Sequence, residues 1–464
     1  MFNSKSAAFL SALFLLLQTG VALAATNVEQ LEQLTSRYVD NFRPGTAKDV
    51  RTDYSAAAFL REIDDKVLEL EKLQSIDPDG LNLEQDIDRR LLIGIARSDI
   101  NTDRVLKRWE NDAALYLPSS ELGALFAPEQ DGTDEQLRNK RFDLLSALPG
   151  RLEQGKANLK RPPAFFTDAA IFQAKSNIQT LDEGLGAMTG LPEEWKAVAA
   201  DAKAALLDYL SFLENELLQR SDGDWALGRE AYDFILQKRW YMNSDAERIR
   251  QAGLLAFSET EALAQEVADR MQPGKHWTEV YESLKDQHPA ATDIKQAYQQ
   301  QMDAAQVFVL KHGILTLPEG EQVITLDTPP ALRRSSPFGT FEQASPFDGG
   351  LEGRLYLTPI EQWMPPERQE QRLRSHHTAW IPVIAVHEAY PGHHAQALKV
   401  NENPNLLRRV VSEAIFSEGW GLFTEELMYE QGFLQGDDVR LTQLRNRLWR
   451  AARVILDSSL HTGQ

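Results

Sequence analysis

Apolar residues recur every three or four positions through "AAAFLREIDDKVLELEKLQSI" (56–76), "DRRLLIGIARSDI" (88–100) and "EEWKAVAADAKAALLDYLSFLENELLQ" (193–219), with charged residues between them. That is the period of an amphipathic α-helix with one face turned to a core. Asp77-Pro78-Asp79-Gly80, Arg161-Pro162-Pro163 and Ser221-Asp222-Gly223-Asp224 punctuate the pattern as loops. The chain is therefore expected to be mostly α, and core packing alone accounts for these helices. It carries no fixed-period repeat and no low-complexity tract.

The pattern changes between about Leu315 and Pro366. Pro318, Pro329, Pro330, Pro337, Pro346 and Pro359 interrupt the helical period, and "QVITL" and "GRLYLTP" cluster β-formers between them. A small β element on an irregular insert is predicted there. Such an insert could wall a substrate groove and offer an edge strand to an extended peptide, or it could be an ordinary surface excursion.

Composition narrows the function. At 464 residues and 42% apolar, the chain can bury a large core as one big domain or two lobes, and residues 25–464 are expected to form a single large helical domain. A net charge of -20 argues against nucleic acid, whose binders gain affinity by neutralising phosphates with Lys and Arg. The N-terminus reads as an export signal. Lys5 precedes the apolar run "AAFLSALFLLL", and Ala22-Leu23-Ala24 supplies a small-x-small cleavage site, so residues 1–24 form the expected signal peptide and Ala25 the mature start. The run is shorter than the ~20 residues that span a bilayer. There is no cysteine, hence no disulfide framework and no lipid-anchored N-terminal Cys. A periplasmic or secreted protein without a stable membrane anchor is the expectation.

Five of the nine histidines, His376, His377, His387, His393 and His394, fall within residues 376–394. Within them, "VHEAYPGHHA" almost spells the zinc-peptidase sequence H-E-x-x-H, but Pro391 stands where the second histidine belongs. On an ideal helix, residue i+6 lies about 120° around and ~9 Å along from residue i, so His387 and His393 could not share a metal. Pro391 removes an N–H and its ring collides with the carbonyl of His387, while Gly392 tolerates the dihedrals of a break. Read as a helix with a two-residue Pro-Gly bulge, the motif can return His393 to the face of His387. Glu388 then stands where such enzymes keep a general base beside a zinc-activated water. His394 is the alternative second histidine if the bulge rotates differently, and otherwise a neighbour of the ligands. His377 is a candidate oxyanion donor, although His376 and His377 could equally cap a buried helix.

A catalytic zinc needs a third protein ligand and an open position. "SEAIFSEGWGLFTEEL" reads as a helix, and Glu418 is the candidate, 25 residues after His393, which leaves room for a turn and an antiparallel helix. Glu425 shares its face and could orient a ligand histidine from behind. Asp457 and His461, spaced i, i+4, could hydrogen-bond near the site.

"HEAYPGHH", "SEGWGLFTEEL" and "RAARVILDSSLH", with "NLEQDIDRRLL" and "LGREAYDFIL" as weaker matches, resemble the bacterial domain-of-unknown-function-885 family across the mature chain. The resemblance implies a multi-helix, zinc-dependent metallopeptidase-like fold with a deep groove, distantly similar to angiotensin-converting enzyme and thermophilic carboxypeptidases. Carried over by position, His387 and His393 are its metal histidines, Glu388 its base and Glu418 its third ligand. Such proteins continue past the segment resembling "ILDSSLH", so a C-terminally truncated copy is expected here. The function this implies is hydrolysis of a peptide substrate. A periplasmic binding or chaperone-like protein with a structural metal, and a metal-dependent amidase on cell-wall peptides, are the alternatives.

Overall fold

The structure, a computed structural model, describes residues 27–43, 51–125, 135–187, 192–329, 333 and 336–464. The expected signal peptide lies outside the described residues. The chain divides into two compact units, residues 1–246 with 460–464, and residues 247–459.

The first unit is helical, and its elements follow from local sequence. Helix α1 (Ala56–Ser75) starts where the Ser55 side chain accepts from the Ala58 amide, and α2 (Leu83–Leu106) opens on a reciprocal capping box between Asn82 and Gln85. Helices α3 (Glu135–Asn158), α4 (Ala164–Ala187) and α5 (Glu193–Phe212) complete the main frame. The long helix expected over 193–219 loses its α period at Leu213, where a π turn runs to Leu217. Tyr116, Leu145, Leu152, Leu181, Leu206 and Tyr209 are wholly buried in one core joining these helices.

The second unit holds every candidate ligand. Helices α6 (Ala246–Met271), α7 (Trp277–Leu284) and α8 (Ile294–Lys311) come first. Strands β1 (Gln322–Asp327), β2 (Gly339–Glu342) and β3 (Glu352–Leu357) follow in the Pro-rich insert. The strand order is β1-β3-β2, with β1 parallel to β3 and β2 antiparallel to it. "QVITL" and "GRLYLTP" thus supply the two strands foreseen, and "GTFE" adds one that its short length concealed.

Helix α9 (Pro366–Arg374) leads to α10 (Trp380–Glu388), α11 (His393–Asn401), α12 (Ala414–Glu430) and α13 (Asp437–Thr462). Helix α10 has no polar stripe, because it is central. Ile381, Val383, Ile384, Ala385 and Val386 are all buried, and it packs on both α8 and α12. Full burial of aliphatic side chains stabilises by roughly 1.5–3 kcal/mol each, so this helix anchors the core while exposing only its C-terminal end to chemistry.

Candidate metal centre

The sequence "AYPG" ends α10 outright, a larger departure than the bulge in a continuous helix that the motif suggested. Ala389 leaves the helical region at φ -112°, ψ -82°, the Tyr390–Pro391 peptide is cis, and α11 restarts at His393. The Ala395 amide donates across the gap to the Ala389 carbonyl at 3.3 Å, and the Trp420 indole donates to the Pro391 carbonyl at 2.8 Å. A side chain at Gly392 would put a Cβ 1.9 Å from the His387 carbonyl oxygen, so only glycine permits so tight a return.

The return brings His387 and His393 together, with ring centroids 4.8 Å apart and planes at 84°. Glu418, on α12, closes a triangle. One of its carboxylate oxygens lies 3.7 Å from His387 Nε2 and the other 3.8 Å from His393 Nε2. All three donor atoms fall within 4.8 Å of one another, the one such grouping of His, Cys, Asp and Glu among the described residues. Ligands at ~2.0–2.1 Å around a tetrahedral zinc are separated by roughly 3.3–3.4 Å, so the two Glu418 distances are a few tenths of an ångström long and the widest edge of the triangle, up to 4.8 Å, has to close further to hold the ion. Two neutral imidazoles and one carboxylate are also a donor set that suits this metal.

Behind His387 stands Glu425, fully buried, whose carboxylate accepts from Nδ1–H at 2.9 Å. Arg450, on α13, donates to the same oxygen at 3.1 Å. This arrangement commits Nδ1–H to Glu425 and leaves Nε2 as the nitrogen that faces Glu418. Gly421 lets α12 approach the ring, since a Cβ there would sit 2.5 Å from His387 Cε1.

Charge follows the same geometry. Burial disfavours the His387 cation, but hydrogen bonds to Glu418 and Glu425 outweigh it and raise the pKa to about 9. Glu418 is lowered to about 2, first by its hydrogen bond from His387 and then, against burial, by the charges of the two histidines. Burial, with the adjacent His387 charge, depresses His393 to about 4. In Glu388, burial raises the carboxyl pKa, and Glu418 and Glu425 add to the rise against His387 and Arg450. The positive charges of His387 and Arg450 thus stand beside the Glu418 carboxylate, with the Glu388 carboxyl raised by burial alongside.

The remaining candidates lie elsewhere. His377, proposed as an oxyanion donor, sits before the start of α10, ten residues from His387 and roughly 15 Å along the helix. It is buried against Tyr281, whose hydroxyl lies 3.4 Å from its Nε2, and burial drops its pKa to about 4. It is a core histidine. His394 is wholly buried and turned away from the triangle, with Nε2 2.9 Å from Glu321. Its Nε2 is engaged with that carboxylate rather than with the triangle. His461 packs against Trp225 and Tyr232 and accepts from the Leu227 amide, and so is not part of the cluster. Arg450 and Glu321 went unnoticed in the sequence, where the only pointer to Arg450 was its place at the head of "RAARVILDSSLH".

The family model described as "bacterial protein of unknown function" (DUF885) matches residues 39–464. Two solved structures share the fold. A "putative lipoprotein of unknown function" from Shewanella oneidensis superposes with a TM-score of 0.77 at 19% identity, covering 96% of this chain and 83% of its own. A "putative lipoprotein" from Colwellia psychrerythraea does so with a TM-score of 0.68 at 16% identity and the same coverages. No curated protein matches the chain. Among the described residues no helix is long and apolar enough to cross a membrane.

Proposed function

The chain belongs to the DUF885 family, and from its donor triangle we propose that it is a zinc-dependent peptidase. The observation that carries this reading is the convergence of His387 Nε2, His393 Nε2 and a Glu418 oxygen within 4.8 Å, beside a glutamate of raised pKa. His387, His393 and Glu418 would hold the ion. Zinc, when bound, supplies Lewis acidity that brings the pKa of a water to ~7 and polarises a carbonyl.

The chain's own residues do the rest. Glu425 and Arg450 hold the His387 ring in place. Glu388, next in sequence to His387, accepts a proton from the attacking water and returns it to the departing amine. The burial that raises its pKa makes it a stronger base than an exposed carboxylate.

Metal analysis of the purified protein with a peptide-library digest tests the proposal. One zinc per chain and cleavage that a chelator abolishes are expected. If the protein holds zinc and cleaves no peptide, a binding protein with a structural metal replaces the peptidase. Cleavage confined to cell-wall peptides would make it an amidase.

Export is part of the same proposal. It is supported by the N-terminal pattern of Lys5, the apolar run and Ala22-Leu23-Ala24, and by the lipoprotein descriptions of the two structural neighbours. N-terminal sequencing of the periplasmic fraction is expected to begin near Ala25. An intact N-terminus recovered with the membranes would instead identify an anchor.

A further inference from the structure

The insert between α8 and α9 delivers one residue to the back of the metal centre. Gly320 adopts φ +84°, which turns the chain into β1 and sends the Glu321 side chain inward, where it is 3% exposed. Its carboxylate accepts from the Tyr390 hydroxyl at 2.6 Å and lies 2.9 Å from His394 Nε2. The Gln306 amide, from α8, donates to its other oxygen. Burial alone would raise this carboxyl, but the three hydrogen bonds outweigh it and keep the pKa below the usual glutamate value. Tyr390 immediately precedes Pro391 and His394 immediately follows His393, so a single carboxylate grips both flanks of the helix break. The far side of the His394 ring is closed by Phe341, 6.3 Å between centroids, and by Gly353, where a Cβ would come within 2.6 Å of Nδ1.

We propose that Glu321 is a positioning residue that sets the register of the break, holding His394 inward so that His393 alone faces His387 and Glu418. This rests on the reading of the triangle as a metal centre. Neighbouring residues on a helix point about 100° apart, so a modest rotation of α11 would exchange the two imidazoles. Nothing in "GHHA" itself selects between them. The selection comes from what each ring meets: a buried carboxylate for His394, an exposed one for His393. Tyr390, His394 and Gln306 together satisfy the buried Glu321 carboxylate in the observed register, and turning His394 out of it would leave that carboxylate one donor short.

Two readouts on the full chain test the assignment. The first needs no metal: diethyl pyrocarbonate labelling of the metal-free protein, resolved by tandem mass spectrometry. His393 is expected to be modified and His394 protected in the parent and in Glu321→Gln, whose amide oxygen can still accept both bonds, whereas Glu321→Ala should expose His394. The second is Co²⁺ titration followed by visible absorption. Glu321→Ala should bind roughly 10–100-fold more weakly, with altered ligand-field bands, and Glu321→Gln should recover the parent spectrum.

If Glu321→Ala keeps His394 protected and binds Co²⁺ with the parent spectrum and affinity, the proposal is overturned, even where the melting temperature falls. If the parent binds no Co²⁺, the metal reading fails, and the labelling pattern still decides the register. Should Glu321→Ala not fold, Tyr390→Phe deletes a single hydroxyl of the same network. Partial labelling of His394 and a several-fold loss of Co²⁺ affinity are then expected, and no change in either would overturn the proposal.

Discussion

Helix α10 has a histidine pair at each end, and the two pairs have opposite surroundings. Before its start, His376 and His377 are buried among aromatic rings. Phe338 stacks on His376 at 4.5 Å, Tyr281 meets His377 edge-on, and burial drops both pKa values to about 4. In its last turn His387, and beyond its C-terminal end His393, face a carboxylate, with a second carboxylate behind His387. His387 is nearly as buried as His376 and His377, so burial does not separate core histidines from candidate ligands. Carboxylates do. The His387 ring has Glu418 before it and Glu425 behind it, whereas His376 meets a tyrosine hydroxyl and a cationic neighbour, Arg372.

The comparison can be broken in four ways, the largest effect first. Glu388→Gln keeps the shape of the side chain but removes its basicity, so peptide hydrolysis should fall by ~10²–10⁴ while zinc content is unchanged. Equal rates in parent and variant would remove the base from the mechanism. Next, His387→Ala should reduce bound metal nearly to zero, whereas His377→Ala should leave stoichiometry intact, both read by elemental analysis of dialysed protein. Loss of metal in both would mean that the two ends are not chemically distinct. Third, Glu425→Gln retains bulk behind His387 but weakens the hold on its tautomer, and zinc affinity by chelator competition should drop roughly 10–100-fold.

The smallest effect concerns the other pair. His376 and His377 have folded pKa values near 4 against an unperturbed 6.5, so the unfolded chain binds the extra protons. Their contribution to stability is complete above pH 6.5 and is lost as pH falls from 6.5 towards 4, with each histidine adding up to ~1.4 kcal/mol per pH unit to the slope. Urea unfolding of His376→Gln across that window should show a shallower acid dependence than the parent. An identical slope would mean that His376 is not held neutral by its burial.

Much of this was legible in the sequence because it is written locally. The three- and four-residue period marked the helices, and the Pro-Gly pair in "HEAYPGHH" announced a break that could return a histidine. The distance from His393 to Glu418 allowed an antiparallel partner. What escaped notice depends on contacts between distant segments. Glu321 looks like any polar residue opening a strand, and Arg450 like one of many arginines along a helix. Only the folded chain turns the first into a buried acceptor and sets the second against Glu425. For His377 the sequence left oxyanion donor and buried helix cap both open, and only its contact with Tyr281 in the folded chain favours the buried role. Proximity in sequence to a ligand says little when a helix of two and a half turns intervenes.

Gly421 has one further consequence. With no side chain, it lets the backbone of α12 lie against the His387 ring, where a methyl group would overlap Cε1 at 2.5 Å. The spacing of two helices thus works as a caliper whose jaws are Glu418 and His387, set 3.7 Å apart. Gly421→Ala would wedge the jaws open without touching any donor atom. The fit of an ion would then depend on a position that carries no chemistry at all.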